Sequence, residues 1–238
     1  MMAFEPFYQF MRGIQGKVFG APVQNAQQIA QMRQMQRELN SEESLKIPLS
    51  KLSVVVFDLE TTGFFPDQGD EIISIGAIKV VGSQIQESEV FYSLVQCKKA
   101  LPENIEQLTG ISSEQLSHAP SITEVLVQFL KFVKDDALVA HHANHERSFL
   151  QNASRKLFRT PFIHRVVDTS FLFRVSDPTI KLTRLEEYCE HHGIEVVDRH
   201  HALGDARLTA KLWCIYSNYL QEAGFRTLKD VYERMARL

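Results

Sequence analysis

The chain has 238 residues, a formal net charge of −3, 44% hydrophobic residues and 23% charged ones. This supplies a core for one medium-sized domain plus an appendage and excludes a disordered chain; the near-neutral balance excludes the strongly basic surface of an architectural nucleic-acid binder, though not a local basic groove. The 3 cysteines, Cys97, Cys189 and Cys214, stand far apart and in no C-x-x-C pair, which excludes a disulfide framework or a zinc ribbon and points to a reducing, cytoplasmic setting.

The N-terminus, MMAFEPFYQFMRG, has an acid at Glu5 and no long apolar run, so no secretory signal is expected, and no later run suits a membrane span. Residues 1–50 read as an N-terminal helical extension. Phe7, Met11, Ile14 and Val18 fall at helical spacing, an apolar stripe for packing on the main domain or on a partner.

From residue 52 the pattern turns to strands at 52–59 (LSVVVFDL), 71–81 (EIISIGAIKVV) and 85–94 (IQESEVFYSL), with Gly82-Ser83 as a turn. Ser121 and Glu124 form a capping box for a helix through Val133. A short buried strand, ALVA at 137–140, then leads into HHANHERSFL, a helix and the apolar run ending in VVD at 166–168. Thr183 and Glu186 are expected to cap a further helix with Gly193 just past its end, and the last helices run over about 203–221 and from about 226. The order implies an α/β fold with a mixed five-stranded sheet flanked by helices, divided as 1–50 extension, 51–222 main domain and 223–238 C-terminal helix packed on it.

Asp58 and Glu60 end the first strand at i, i+2 spacing, so both carboxylates point to one face. Two acids at the end of a buried strand repel each other unless a cation lies between them; the alternative is two solvated acids at a loop edge. Thr61, Thr62 and Gly63 follow, small residues that let backbone N–H groups and hydroxyls approach a ligand. Asp205 begins a helix with Leu208 and Leu212 on its own face, which the helix dipole alone would explain. His200, five residues upstream, is either structural or a proton acceptor at neutral pH.

VFDLETTG at 56–63, LVAHHANHERSFL at 138–150, VVDTSFLFR at 166–174 and HHALGDA at 200–206 occur in the order and spacing of the DEDDh exonuclease family. The chain resembles the proofreading subunit and proofreading domains of bacterial replicative DNA polymerases over roughly residues 52–218, including residues 105–121. The resemblance implies an RNase H-like fold and release of nucleotides from the 3′ end of single-stranded or frayed nucleic acid, DNA ahead of RNA, with two divalent ions, Mg²⁺ or Mn²⁺. Asp58 would bridge both ions, Glu60 and Asp205 would hold the ion that activates water, and His200 would be the general base. Glu146 would be the fourth acid. Thr61, Thr62, Gly63, Phe64 and His141 would contact substrate, Phe64 by stacking on or wedging beside a terminal base unless it and Phe65 pack on the sheet. A polymerase partner would act in trans.

One motif departs from the family. Where His-Asn-Ala-x-Phe-Asp is usual, this chain has His141-His142-Ala143-Asn144-His145-Glu146, with the register secured by Phe149 and Leu150. The carboxylate of Glu146 sits one C–C bond, about 1.5 Å, further out, so activity with an altered metal optimum is expected. Two rival readings stand beside this one: a catalytically weakened module of the same fold that binds a polymerase, and a phosphohydrolase of small molecules.

Overall fold

A computed structural model describes residues 42–237 together with Ala30, Arg33 and Gln34. The stripe Phe7, Met11, Ile14 and Val18 lies outside the described residues.

Five strands form one sheet in the order β3-β2-β1-β4-β5: β1 (Ser53–Thr61), β2 (Ile72–Val81), β3 (Gln84–Leu94), β4 (Ala137–Ala140) and β5 (Val166–Asp168). β1 pairs antiparallel with β2, and β2 with β3, whereas β4 and β5 continue the sheet in parallel. This is the mixed sheet expected from the order of elements. The described helices are α1 (Glu103–Thr109), α2 (Ser113–Ser117), α3 (Ile122–Val133), α4 (Asn144–Phe158), α5 (Thr169–Ser176), α6 (Leu185–His191), α7 (Ala202–Glu222) and α8 (Leu228–Met235).

Strand alternation sorts the core into two layers. Val54 and Val56 of β1 pack with Val139, Val167 and α5 to α8, and Trp213 and Tyr216 of α7 fill that side. Val55, Phe57 and Leu59 face the other side, against Phe129 of α3 and Phe149 and Leu150 of α4. Asp58 and Glu60 continue the parity of Val54 and Val56, so their side chains leave the sheet toward α7. Residues on both sides of position 50 belong to the α7 layer: Leu49 and Leu52 are buried there with Leu228 and Val231 of α8, and the Leu49 N–H donates to the Arg226 carbonyl at 2.7 Å.

Two backbone features bring α7 onto the acidic end of β1. Gly76 of β2 lies opposite Asp58 in the register. A Cβ at Gly76 would stand 2.1 Å from the Leu203 nitrogen and 2.2 Å from the Ala202 carbonyl carbon. The first turn of α7 therefore rests directly on bare strand backbone, which only glycine permits. The register also slips between Glu60 and Thr61, leaving Ile73 of β2 as the extra residue. Ile73 is buried with Leu101, Ile111 and Leu116, which anchors the α1–α2 segment beside the strand end.

One expected cap is corrected. The N-cap of α6 is Arg184, not Thr183, and Glu187 is the acid that accepts the Thr183 and Arg184 backbone N–H groups, each at 3.1 Å. The competing pattern lay one residue further along. It leaves Glu186 free to point elsewhere. Gly193 takes a left-handed conformation just beyond α6, as expected for a helix end.

Candidate active site

β1 and β4 run parallel, so Asp58 and the start of α4 lie at the same end of the sheet. A cleft of about 530 Å³ opens there, a size suited to a small organic ligand or a chain terminus. Its lining includes Asp58, Glu60, Glu146, His200 and Asp205. Carboxylate oxygens of Asp58, Glu60 and Asp205 all lie within 4.8 Å of one another. Glu60 and Asp205 are buried, and Asp58 keeps partial solvent contact through the cleft.

This crowding has a strong electrostatic signature. Burial, followed by repulsion from Glu60, Asp205 and Glu146, holds the Asp58 carboxyl well above the ordinary range. Glu60 is pushed up to about 8 by burial and by Asp205. Burial raises Asp205 as well, against the pull of Arg199. Like charges packed out of water favour protonation unless a cation joins them. The donors are all hard oxygens, and Asp205 Oδ1 and Glu146 Oε2 are buried without a hydrogen-bond partner, so the set fits a divalent ion of the Mg²⁺ or Mn²⁺ kind.

Glu146 stands apart from the group of three. It lies in the first turn of α4, on the opposite layer of the sheet, and reaches the cleft around the strand ends. It is 5% exposed, and burial with repulsion from Asp168 and Glu60 pushes it up to about 8. Asp168 caps α5 through the Ser170 N–H at 2.9 Å and accepts the Ala143 N–H at 3.1 Å, tying the start of α4 to β5.

His200 takes a left-handed backbone conformation, φ +58°, uncommon for a residue with a side chain. In this conformation its N–H donates to Asp205 Oδ2 at 3.2 Å and its side chain joins the cleft wall. His201 next to it caps α7 by accepting the Gly204 N–H at 3.3 Å and stacks on Tyr92.

The expected substrate residues divide. Phe64 and Phe65 are exposed, 76% and 58%, so neither packs its ring on the sheet; Phe64 stands at the cleft edge-on to His145. Their loop is clasped from within: the Asp70 carboxylate accepts the Thr62 hydroxyl at 3.2 Å and the Phe65 N–H at 2.8 Å. Gly63 lies against that carboxylate, where a Cβ would come within 2.4 Å of Asp70 Oδ2. The Thr61 hydroxyl donates to the Gly63 carbonyl at 2.7 Å. His141 is engaged at both ring nitrogens: Nε2–H donates to the Thr183 carbonyl at 3.0 Å, which leaves Nδ1 to accept the Thr169 hydroxyl at 2.9 Å. Burial and the neighbouring His142 push it down to about 4, so it is a neutral strut tying the end of β4 to the start of α5 and the segment before α6. His142 also donates to Thr183 and His145 lies beside Thr61; neither joins the acid group.

Sequence reasoning missed Arg199. Its guanidinium contacts Asp205 Oδ2 and reaches Glu186 Oε2 at 3.1 Å. Its position directly before His200 was visible, but its partner on α6 was not.

A stability measurement follows from the acids. Glu60 and Glu146 ionise near 8 in the fold against an ordinary 4.5, so between those values the folded chain holds protons that the unfolded chain has released. Metal-free stability is thus greatest below the unfolded value and declines as pH rises through the folded one. Urea melts in EDTA should lose about 1–3 kcal/mol between about pH 5.5 and pH 8.5, with Mg²⁺ restoring it. A flat profile across that window would show that the acids are not thus crowded.

Residues 55–213 match the Exonuclease family, RNase_T. The DNA polymerase III subunit epsilon of Aquifex aeolicus is 35% identical over 201 residues, covering 84% of this chain and 96% of that one. The PolC-type DNA polymerase III of Caldanaerobacter subterraneus subsp. tengcongensis is 36% identical over 177 residues, 74% of this chain, which spans only 12% of that polymerase. Among solved structures, the nuclease domain of 3′hExo, a DEDDh family member, bound to rAMP, superposes with a TM-score of 0.61 at 19% identity, covering 74% of this chain and 94% of that one.

Proposed function

The chain belongs to the exonuclease family and carries its RNase H-like fold, and from that premise we propose that it removes nucleotides from the 3′ end of single-stranded or frayed nucleic acid, DNA ahead of RNA, by phosphodiester hydrolysis. The observation that carries the reading is the convergence of Asp58, Glu60 and Asp205 within 4.8 Å at the floor of a cleft that also holds His200. A small-molecule phosphohydrolase would have less use for an exposed ring at the rim. Phe64 offers a face to a base without reading its identity.

In this reading Asp58, Glu60 and Asp205 would hold a divalent ion, and Glu146, at the other side of the same cleft, would assist a second. When bound, such ions supply Lewis-acid charge to the attacking and leaving oxygens of an in-line displacement. His200 takes the proton of the attacking water, and the left-handed backbone that ties it to Asp205 holds it at the acid cluster. Phe64 steadies the terminal base, while the Asp70 clasp keeps its loop in place. The similarity to the epsilon subunit favours a proofreading role beside a DNA polymerase bound in trans, and a cytoplasmic site of action. No described helix is long and apolar enough to cross a membrane.

The test is nucleotide release from 3′-labelled and 5′-labelled oligonucleotides of DNA and RNA, with Mg²⁺, Mn²⁺ or EDTA. Release of label first from the 3′ end, abolished by EDTA, is expected; no release with either ion would overturn the proposal. Glu146 has its own test. The aspartate variant should match or modestly exceed the parent with Mg²⁺, whereas Glu146→Gln should lose about 10–100-fold. Equal rates for all three would make this carboxylate incidental.

A further inference from the structure

Resting on the reading of the acid cluster as a divalent-ion site, we propose that Arg199 and Glu186 are positioning residues of that site, holding one oxygen of Asp205 so that the other is presented beside Asp58 and Glu60. Asp205 Oδ2 is fully engaged, by the Arg199 guanidinium and by the His200 N–H at 3.2 Å. Its other oxygen, Oδ1, is buried and has no partner. A carboxylate fixed at one oxygen and bare at the other, with the oxygens of two more acids within 4.8 Å, is arranged to complete a cation site. Arg199 is steadied in turn: its second terminal nitrogen lies 3.1 Å from Glu186 Oε2, and Glu186 is itself flanked by Arg184 at 3.6 Å. The chain of contacts runs from α6 through Arg199 to the first turn of α7, so the docking of α6 is transmitted to Asp205. A planar guanidinium spans two carboxylates as a single ammonium cannot. Groups that orient a metal-binding side chain in this way commonly govern metal affinity by about 10–100-fold.

The opposite role is also physically reasonable, with Arg199 acting as a resident cation that a metal must displace. The two differ in sign. Mn²⁺ binding to the full chain, measured by titration calorimetry alongside thermal melts in EDTA, separates them. Positioning predicts that Arg199→Gln binds Mn²⁺ about 10–100-fold more weakly, that Arg199→Lys recovers part of the loss, and that Glu186→Gln weakens binding to a smaller degree. At saturating Mn²⁺ the kcat of Arg199→Gln should climb back toward the parent, because every ligand oxygen is still present. Folded variants that bind Mn²⁺ equally or more tightly overturn the positioning role. If Arg199→Gln does not fold, Glu186→Gln and Arg199→Lys decide by the same sign. A parent chain that takes up no Mn²⁺ overturns the metal site itself and this proposal with it, so the two failures are distinct.

Discussion

Replacing Asp58 with asparagine is expected to reduce nucleotide release by about 10³-fold or more, because it removes the carboxylate central to several kcal/mol of charge stabilisation. The same change should strengthen the metal-free fold. Asp58 is the acid on which Glu60, Asp205 and Glu146 all press, so a neutral amide of the same shape removes a buried carboxyl whose ionisation the cluster opposes, a cost the parent bears increasingly as pH rises toward 8. A gain of about 1–3 kcal/mol at pH 8 in EDTA is expected, or roughly 2–4 °C in Tm per kcal/mol for a domain of this size. Activity and stability then move in opposite directions, which misfolding cannot produce. A variant that keeps its rate, or that melts below the parent in EDTA, would contradict the reading of Asp58.

His200→Asn should lower kcat by about 10²–10⁴-fold, the usual contribution of a positioned general base. Asparagine is chosen because it tolerates the left-handed conformation at φ +58°, so the N–H that holds Asp205 is kept while the base is lost. Mn²⁺ affinity and KM should change little. A fall in metal affinity of the same size as the fall in kcat would assign His200 to holding Asp205 and not to proton transfer.

The sequence disclosed what its local signals encode. The Ser121–Glu124 capping box marked the start of α3, apolar runs bounded ALVA and VVD to the residue, and the parity of Asp58 and Glu60 told that the two carboxylates share one face. α1 and α2 went unread because a helix of 7 or 5 residues is too short to show a period; the Ser112–Gln115 capping box was the one signal that could have found α2. The choice between Glu186 and Glu187 as the cap of α6 depended on one residue of phase. The Arg199–Asp205–Glu186 arrangement and the need for Gly76 arise where separate elements meet, and neither leaves a local pattern. The clustering of three acids was expected from motifs; that Glu146 would arrive from the opposite layer, outside that cluster, followed only from which face α4 covers.

At Gly76 main chain meets main chain. The spacing between the acids of β1 and the acid of α7 is therefore set by bond lengths and atomic radii, quantities that mutation elsewhere does not alter. The apolar interior beneath can exchange its side chains over evolutionary time and shift slightly as it does so. The gap that receives the cation is insulated from that drift, and a single added methyl group at this one strand position would end the insulation.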